Sequence, residues 1–304
     1  MRALGRIHGS ELSVVEFDNV DPETDSGVEG RCRGCPNLKK LIIENEHDMF
    51  FTNASVEVEA IATYCPNIEI LSLHYWFDIT DACIPYLMRL SALRENDLSD
   101  CGRLTSAGHQ QFSETAKNLR VLKLSRVSDD DTITCTAFAD AALLTCIGTH
   151  CPNLTTLHLA LTSGPDVTDA LLTAIIQGCP LLDLLIGKCI KPNNILSALA
   201  SYCPRLKRLH MSHMMLTDEG LISLTQGCPD LVALYLSYCH HGGSLTDKGI
   251  KAIAAYCPQL QEFSVYYDET ITDDSLCNLF ASRTNLHTVS LCMTLITDRC
   301  IFEL

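Results

Sequence analysis

A Cys-Pro dipeptide recurs along the chain and constrains its fold more than any other sequence feature. It occurs at seven places, with cysteines Cys35, Cys65, Cys151, Cys179, Cys203, Cys228 and Cys257. Three explanations are open at this point. The cysteines bind a metal, they form disulfides, or they mark the start of a structural repeat.

The residues that follow favour the repeat. With each cysteine as position 1, an apolar residue stands at positions 4 and 7 of every copy and at position 9 of every copy except one, Gly187. The pattern continues without Cys-Pro from starts near Gly9 and at Leu90, Ala116 and Arg283, where Asn96 breaks it at position 7 of the Leu90 copy. Eleven starts, 24 to 35 residues apart, predict a repeat protein.

A second landmark follows the apolar positions. An aliphatic residue followed by Thr-Asp begins at Ile79, Val167, Leu216, Leu245, Ile271 and Ile296. Thr and Asp are favoured helix N-caps, because their side-chain oxygens accept hydrogen bonds from unpaired backbone N–H groups. Proline at position 2 cannot continue a helix. Each repeat is therefore predicted to contain a short strand, a turn, a capped helix and a proline stop.

The repeat also predicts the role of the cysteines. A single repeat cannot bury its own apolar face, whereas stacked repeats can. The position-1 cysteine is then a small buried thiol between a helix and the next strand. Metal binding is the weaker explanation, because ligands should cluster while these cysteines recur once per repeat. The 17 cysteines and the absence of an apolar N-terminal signal region favour a reducing compartment, the cytoplasm or the nucleus.

The phrase Cys-Pro-x-Leu-x-x-Leu-x-Leu followed by Ile-Thr-Asp resembles the cysteine-containing leucine-rich repeats of F-box/LRR proteins, over residues 9 to 304. This resemblance implies a ribonuclease-inhibitor-like α/β horseshoe with parallel strands on the concave side and helices on the convex side. It also implies a role as substrate receptor in an SCF ubiquitin ligase. In that family an F-box of about 40 to 50 residues grips a Skp-type adaptor, and the repeats hold the substrate.

The chain departs from that pattern at its start. The first repeat begins near residue 9, so no F-box is expected within the chain. We expect residues 1–304 to form a single solenoid domain that is truncated at both ends, because no polar capping repeat is recognisable. A Skp-type adaptor and a cullin are expected partners only if an F-box lies outside this chain.

Strand geometry predicts where a protein partner binds. Positions 7 and 9 should point inward, and positions 6, 8 and 10 should line the concave face. We assign position 8 of the late repeats to His210, Tyr235, Glu262 and Ser290. Tyr and Arg dominate binding hot spots, so the candidate contact patch is Arg208, His210, His213, Tyr235, Tyr238, Tyr266 and Tyr267.

Alternatives to this patch stay open. Tyrosine favours strands for its own sake, so the aromatic residues could be structural. A smaller group contains His74 and Tyr75, with Trp76 at a usually inward position. His210, His213, Cys239, His240 and His241 permit a zinc site without specifying one. The acidic insert SDDDTITCTAFAD could bind a partner or simply be solvated.

Composition excludes several function classes. The formal net charge of −15 argues against a nucleic-acid partner. No run of about 18 apolar residues indicates a membrane span. No phosphate loop, dinucleotide-binding glycine motif or pair of catalytic carboxylates is recognisable, so we expect no enzymatic activity and no cofactor. The function hypothesis is a protein-binding domain of an F-box/LRR receptor, and the alternative is a stand-alone repeat scaffold or sensor.

Overall fold

The computed structural model describes most of the chain. The described residues are 11–18, 27–44, 54–101, 103–124, 141–159, 169–188, 193–212, 215–237, 245–266, 270–283, 285–292, 296–297 and 299. They belong to two compact units, Met1–Leu154 and Thr155–Leu304. The prediction of a single continuous domain stays a prediction, and each unit is described by itself.

The first unit alternates strands and helices. Its described strands are β1 (Val14–Asp18), β2 (Lys40–Glu44), β3 (Ile70–Ser72), β4 (Glu95–Asp97) and β5 (Val121–Leu124). Its described helices are α1 (Gly27–Cys32), α2 (Ala54–Tyr64), a 3-10 turn (Asp81–Cys83), α3 (Ile84–Leu87), α4 (Ser106–Thr115) and α5 (Ala141–His150). Each strand pairs in parallel with the next along the chain, from β1 to β5.

The second unit repeats the same arrangement. Its described strands are β6 (Thr156–Leu159), β7 (Leu184–Lys188), β8 (Arg208–Ser212), β9 (Ala233–Ser237), β10 (Glu262–Tyr266) and β11 (Thr288–Cys292). Its described helices are α6 (Asp169–Gly178), α7 (Asn193–Tyr202), α8 (Asp218–Gly227), α9 (Asp247–Tyr256) and α10 (Asp273–Ser282). The strands again pair in parallel in chain order, from β6 to β11.

The strands have the register that the repeat predicts. Each described strand begins at position 6 of its repeat, from Val14 in the repeat near Gly9 to Thr288 in the repeat at Arg283. Although α1 and α3 end three residues before position 1, most described helices end one residue before it, as α7 does at Tyr202 and α9 at Tyr256. The proline stop is therefore confirmed at these repeats, since Cys-Pro follows immediately.

The inward strand positions form one side of the core, and buried helix residues such as Ile61, Leu196 and Ile250 form the other. Position 7 is at most 1% exposed at Leu41, Leu71, Leu122, Leu157, Leu209, Leu234 and Phe263. Asn96, which breaks the apolar pattern, also lies in this row, is 1% exposed and pairs with Leu71 and Leu122. Strand pairing places the side chain inward whatever its polarity, because alternate residues of a strand point to opposite faces.

The position-1 cysteines are buried free thiols, as predicted. The sulfur of Cys203 lies 3.7 Å from the carbonyl oxygens of both Ile176 and Cys179 in the preceding repeat. The sulfur of Cys228 lies 3.7 Å from the carbonyl oxygen of Leu199 and 3.5 Å from that of Cys203. Carbonyls at a helix C-terminus lack partners within the helix. The thiols therefore bond the last helical turn of one repeat to the next repeat.

The Thr-Asp landmark links the N-terminal ends of helices in successive repeats. The carboxylate of Asp218 accepts hydrogen bonds from the backbone N–H of Thr246 at 2.8 Å, the hydroxyl of Thr246 at 2.7 Å and the backbone N–H of Gly249 at 2.8 Å. Asp247 holds Thr272 in the same way. The sequence predicts capping within one helix, whereas each of these aspartates joins its helix to the next repeat.

The threonines behave as predicted in only some repeats. Thr217 and Thr246 each accept a hydrogen bond from a backbone N–H of their own helix. Thr80 and Thr272 occupy the N-cap position without such a side-chain bond. The landmark at Val167 and the insert SDDDTITCTAFAD lie outside the described residues. Within the described part of the chain, no helix is long and apolar enough to cross a membrane.

Candidate functional site

The candidate patch lies on the even face, which we define as the sheet face formed by positions 6, 8 and 10. Four of its predicted residues are described: Arg208 and His210 on β8, Tyr235 on β9 and Tyr266 on β10. Arg208 is exposed, and the three rings are half-buried. His213, Tyr238 and Tyr267 lie outside the described residues, so their part in the patch stays a prediction.

Strand pairing corrects one row assignment. Tyr235 pairs with Ser264, which in turn pairs with Ser290. Ser264 therefore occupies position 8, and the assignment of Glu262 to that row is wrong. Glu262 begins β10 and pairs with Ala233, so it stands at position 6. The reason is the period of two along a strand, which puts Glu262 and Ser264 on the same face but in neighbouring rows.

Glu262 nevertheless takes part in the patch through a diagonal contact. The phenol hydroxyl of Tyr235 donates a hydrogen bond to a carboxylate oxygen of Glu262. This bond raises the pKa of Tyr235, with a smaller contribution from burial. The phenol thus stays protonated at neutral pH and acts as a donor. Comparing equal positions of successive repeats did not reveal this pair, because Tyr235 stands at position 8 and Glu262 at position 6.

His210 extends the aromatic surface toward β8. Its ring centroid lies 5.7 Å from that of Tyr235, with the planes tilted by 51°. Tilted ring pairs at this separation are favourable. Burial lowers the pKa of His210, so the ring is neutral at neutral pH. The side chain therefore offers the partner an uncharged aromatic surface.

Serines separate the two tyrosines. Tyr266 pairs with Ser237, and its hydroxyl accepts a hydrogen bond from the Ser290 hydroxyl at 3.0 Å. Tyr235 pairs with Ser264, which is 5% exposed. Each tyrosine thus stands beside a serine in its own row.

The even face of the first unit has a different character. Lys123 and Asp97, both at position 8, form an ion pair at 3.2 Å. Lys40 reaches Glu16 at 2.6 Å. In position 5, next to this face, Lys39 pairs with Glu69 at 2.8 Å. These charges bind one another, so this surface offers less to a partner than the tyrosine surface of the second unit.

The smaller predicted group is only partly on the surface. Trp76 is 1% exposed, as its inward position predicts. The His74 ring stacks on Tyr75 at 4.0 Å, and its Nε2 lies 3.3 Å from the carboxylate of Asp100. Tyr75 and Asp100 both have positive φ, 63° and 59°. They share position 11 of successive repeats, so the unusual backbone belongs to the turn after the strand.

The zinc alternative is untested at most of its residues. His213, Cys239, His240 and His241 lie outside the described residues. Among the described residues, no group of three or more His, Cys, Asp or Glu side chains is arranged to hold a metal.

Comparison with known proteins points to one group of sequences. No family model matches the chain. GRR1-like protein 1 of Arabidopsis thaliana is 28% identical over 249 residues, which cover 77% of this chain and 38% of that protein. F-box protein MAX2 of the same plant is 25% identical over 268 residues, covering 76% of this chain and 37% of that protein. The chain thus spans well under half the length of these relatives.

Solved structures show the fold. A chain of the Rad7 and Elc1 complex from yeast matches with a TM-score of 0.69 at 17% identity, covering 98% of this chain and 74% of that one. The leucine-rich repeat-containing protein LegL7 from Legionella pneumophila matches with a TM-score of 0.52 at 16% identity, covering 91% and 90%. The chain has the leucine-rich-repeat fold, and its similarity to F-box/LRR proteins confirms the resemblance that its repeats indicate.

Proposed function

We propose that this chain is the substrate-recognition region of an F-box/LRR receptor in SCF-dependent ubiquitination. Its even face holds a target protein so that a target lysine reaches the ubiquitin-charged enzyme. Such a receptor raises effective concentration and contributes no bond chemistry of its own. The relatives support this proposal, because MAX2 is an F-box protein.

The observation that carries the proposal is the tyrosine surface of the second unit. Tyr235 and Tyr266 are half-buried, held by hydrogen bonds and flanked by serines. Rigid aromatic side chains supply large contact area at low entropic cost, which is why they dominate hot spots. Their fixed hydroxyls reduce that cost further, because fewer rotamers are lost on binding.

The partners and the compartment belong to the same proposal. The target protein contacts the even face, and a Skp-type adaptor and cullin join through an F-box outside this chain. The cytoplasm or the nucleus is the proposed compartment, since the thirteen described cysteines are free thiols. A stand-alone repeat scaffold is the alternative, and it shares the binding surface but not the adaptor.

Affinity purification of the endogenous full-length product, with mass spectrometry of the bound proteins, tests the proposal. An adaptor and a cullin in the eluate would support the ligase function. A reproducible eluate with neither would leave the scaffold alternative.

Substitutions at two tyrosines test whether the patch binds the target. We expect the Tyr235→Ala/Tyr266→Ala double variant to keep adaptor and cullin but to bind the target at least about 2 kcal/mol more weakly, roughly thirtyfold in Kd. Tyr202→Ala/Tyr256→Ala is the matched control, because these tyrosines end α7 and α9 and are 44% and 43% exposed. Equal target affinity in the two double variants would show that the patch does not contribute to target binding.

A further inference from the structure

An arginine on the tyrosine surface has no carboxylate partner among the described residues. Arg208 begins β8 at position 6 of its repeat and is exposed. By contrast, Arg94 lies 3.9 Å from Glu69, and Arg103 lies 2.7 Å from Asp78. None of the ion pairs in the described part of the chain involves Arg208. Its positive charge is therefore not neutralised by a described acidic side chain.

The two charges at position 6 of this surface stand on either side of an alanine. Arg208 pairs with Ala233, which in turn pairs with Glu262. Neighbouring strands lie about 4.8 Å apart, so the Cα atoms of the two charged residues are about 10 Å apart. The carboxylate of Glu262 accepts the hydrogen bond of the Tyr235 hydroxyl. The negative charge is therefore engaged within the surface, whereas the positive charge faces solvent.

Arg208 lies close enough to Tyr235 for its charge to act on the phenol. The bond to Glu262 and burial raise the pKa of Tyr235, and the guanidinium of Arg208 acts on that pKa in the opposite direction. The neutral ring of His210 lies on the same strand as Arg208, with its centroid 5.7 Å from that of the Tyr235 ring. One exposed cation thus borders an uncharged aromatic surface.

Two further exposed cations precede Arg208 in the chain. Arg205 and Lys207 stand at positions 3 and 5 of the same repeat. The acidic residues at these positions of the adjacent repeats are Asp230 and Asp183, and neither belongs to an ion pair within the described residues. The chain as a whole has 37 acidic and 22 basic residues, so this cluster has the sign opposite to that of the protein. Local positive charge speeds the encounter with an acidic partner segment.

We propose that Arg208 binds an aspartate or glutamate carboxylate of the target protein, while an apolar side chain next to that residue packs on His210 and Tyr235. This inference rests on the proposed function of the surface and names the class of segment that the surface holds. A planar guanidinium matches a carboxylate through two parallel hydrogen bonds. A target that covers the two rings also excludes water from Arg208, which strengthens the ion pair relative to one in bulk water.

Selection from a random dodecapeptide display library tests the proposal on the folded full chain, without adaptor or cullin. We expect the selected peptides to contain Asp or Glu next to an apolar residue more often than the unselected library does. The most enriched peptide, synthesised with a fluorescent label, should bind Arg208→Glu at least about tenfold more weakly in anisotropy titrations, because repulsion replaces attraction. Its affinity for the unsubstituted chain should fall as the salt concentration rises.

Matched variants locate the effect. Lys248→Glu changes the net charge by the same amount at an exposed residue of α9 and should leave the peptide affinity unchanged. Tyr235→Ala should weaken binding severalfold, and Arg208→Gln repeats the test without introducing a negative charge.

The thermal unfolding midpoint of each variant shows that it is folded. A selection without enrichment of acidic peptides, or equal losses of affinity in Arg208→Glu and Lys248→Glu, would overturn the proposal. Neither result concerns adaptor and cullin binding, which the affinity purification tests separately.

Discussion

The contact between Asp218 and the next repeat gives the sharpest test of how the repeats hold together. Asp218 is 7% exposed and accepts three hydrogen bonds, two from backbone N–H groups and one from the Thr246 hydroxyl. Asp218→Ala removes all three. It leaves the N–H of Gly249, a buried residue, without its carboxylate partner.

The magnitude follows from these contacts. Hydrogen bonds to charged groups contribute about 1.5 to 3 kcal/mol each. The Gly249 N–H keeps its 3.0 Å hydrogen bond to the Thr246 carbonyl oxygen, so the loss is that of the carboxylate bonds and not of an unpaired donor. Thr246 is exposed, so water can replace part of the hydrogen bonding that its N–H and hydroxyl lose with Asp218. We therefore expect Asp218→Ala to lower the free energy of unfolding by about 3 to 5 kcal/mol. Urea unfolding followed by circular dichroism measures this as a lower midpoint at an unchanged slope.

The matched control is Asp247→Ala. Asp247 holds Thr272 through two hydrogen bonds, at 2.8 and 2.6 Å, and this pair is exposed. Its loss should cost about 1 to 2 kcal/mol, because solvent replaces the exposed bonds. Equal costs for the two variants would refute the argument, since the additional buried bond of Asp218 to the Gly249 N–H would then have no effect. Faster hydrogen exchange at the Gly249 amide in Asp218→Ala should accompany the larger loss.

Two further predictions concern the core. Leu234 is fully buried at position 7, so Leu234→Ala should lower the free energy of unfolding by about 2 to 5 kcal/mol through the cavity it leaves. The control is Leu181→Ala, which should change the urea midpoint little because Leu181 is 47% exposed. Burial lowers the pKa of His109 to about 4, against a partly opposing effect of Asp81. Folding therefore favours the neutral ring. The free energy of unfolding is highest above pH 6.5 and decreases as the pH falls from 6.5 toward 4, because the unfolded chain binds the proton before the folded chain does. At about 1.4 kcal/mol per pKa unit, we expect about 2 kcal/mol of the stability difference between pH 7 and pH 5 to vanish in His109→Gln, as urea midpoints at the two pH values would show; an unchanged pH dependence would contradict it.

The tyrosine surface explains why the second unit is the better binding candidate. In the first unit the even face carries ion pairs such as Lys123 with Asp97. A partner there would have to break them and desolvate the charges. In the second unit the hydroxyls of Tyr235 and Tyr266 make internal hydrogen bonds, while their rings are half-exposed and Tyr235 packs beside the His210 ring.

The sequence by itself determined the repeat, because every repeat requires the same kinds of residue at the same positions. Apolar positions 7 and 9 must be buried, and proline must end the helix. Those requirements fixed the start of each described strand at position 6 and the burial of the position-1 cysteines. They also placed Arg208, His210, Tyr235 and Tyr266 on one face.

Only the tertiary structure decided which side chains meet across repeats. The bonds of Asp218 to Thr246, of Tyr235 to Glu262 and of Ser113 to Cys146 span 28, 27 and 33 residues. A repeat pattern compares equal positions, whereas these contacts join unlike positions and depend on the length and direction of each side chain. Stacking supplies that geometry, and for that reason these contacts were invisible in the sequence.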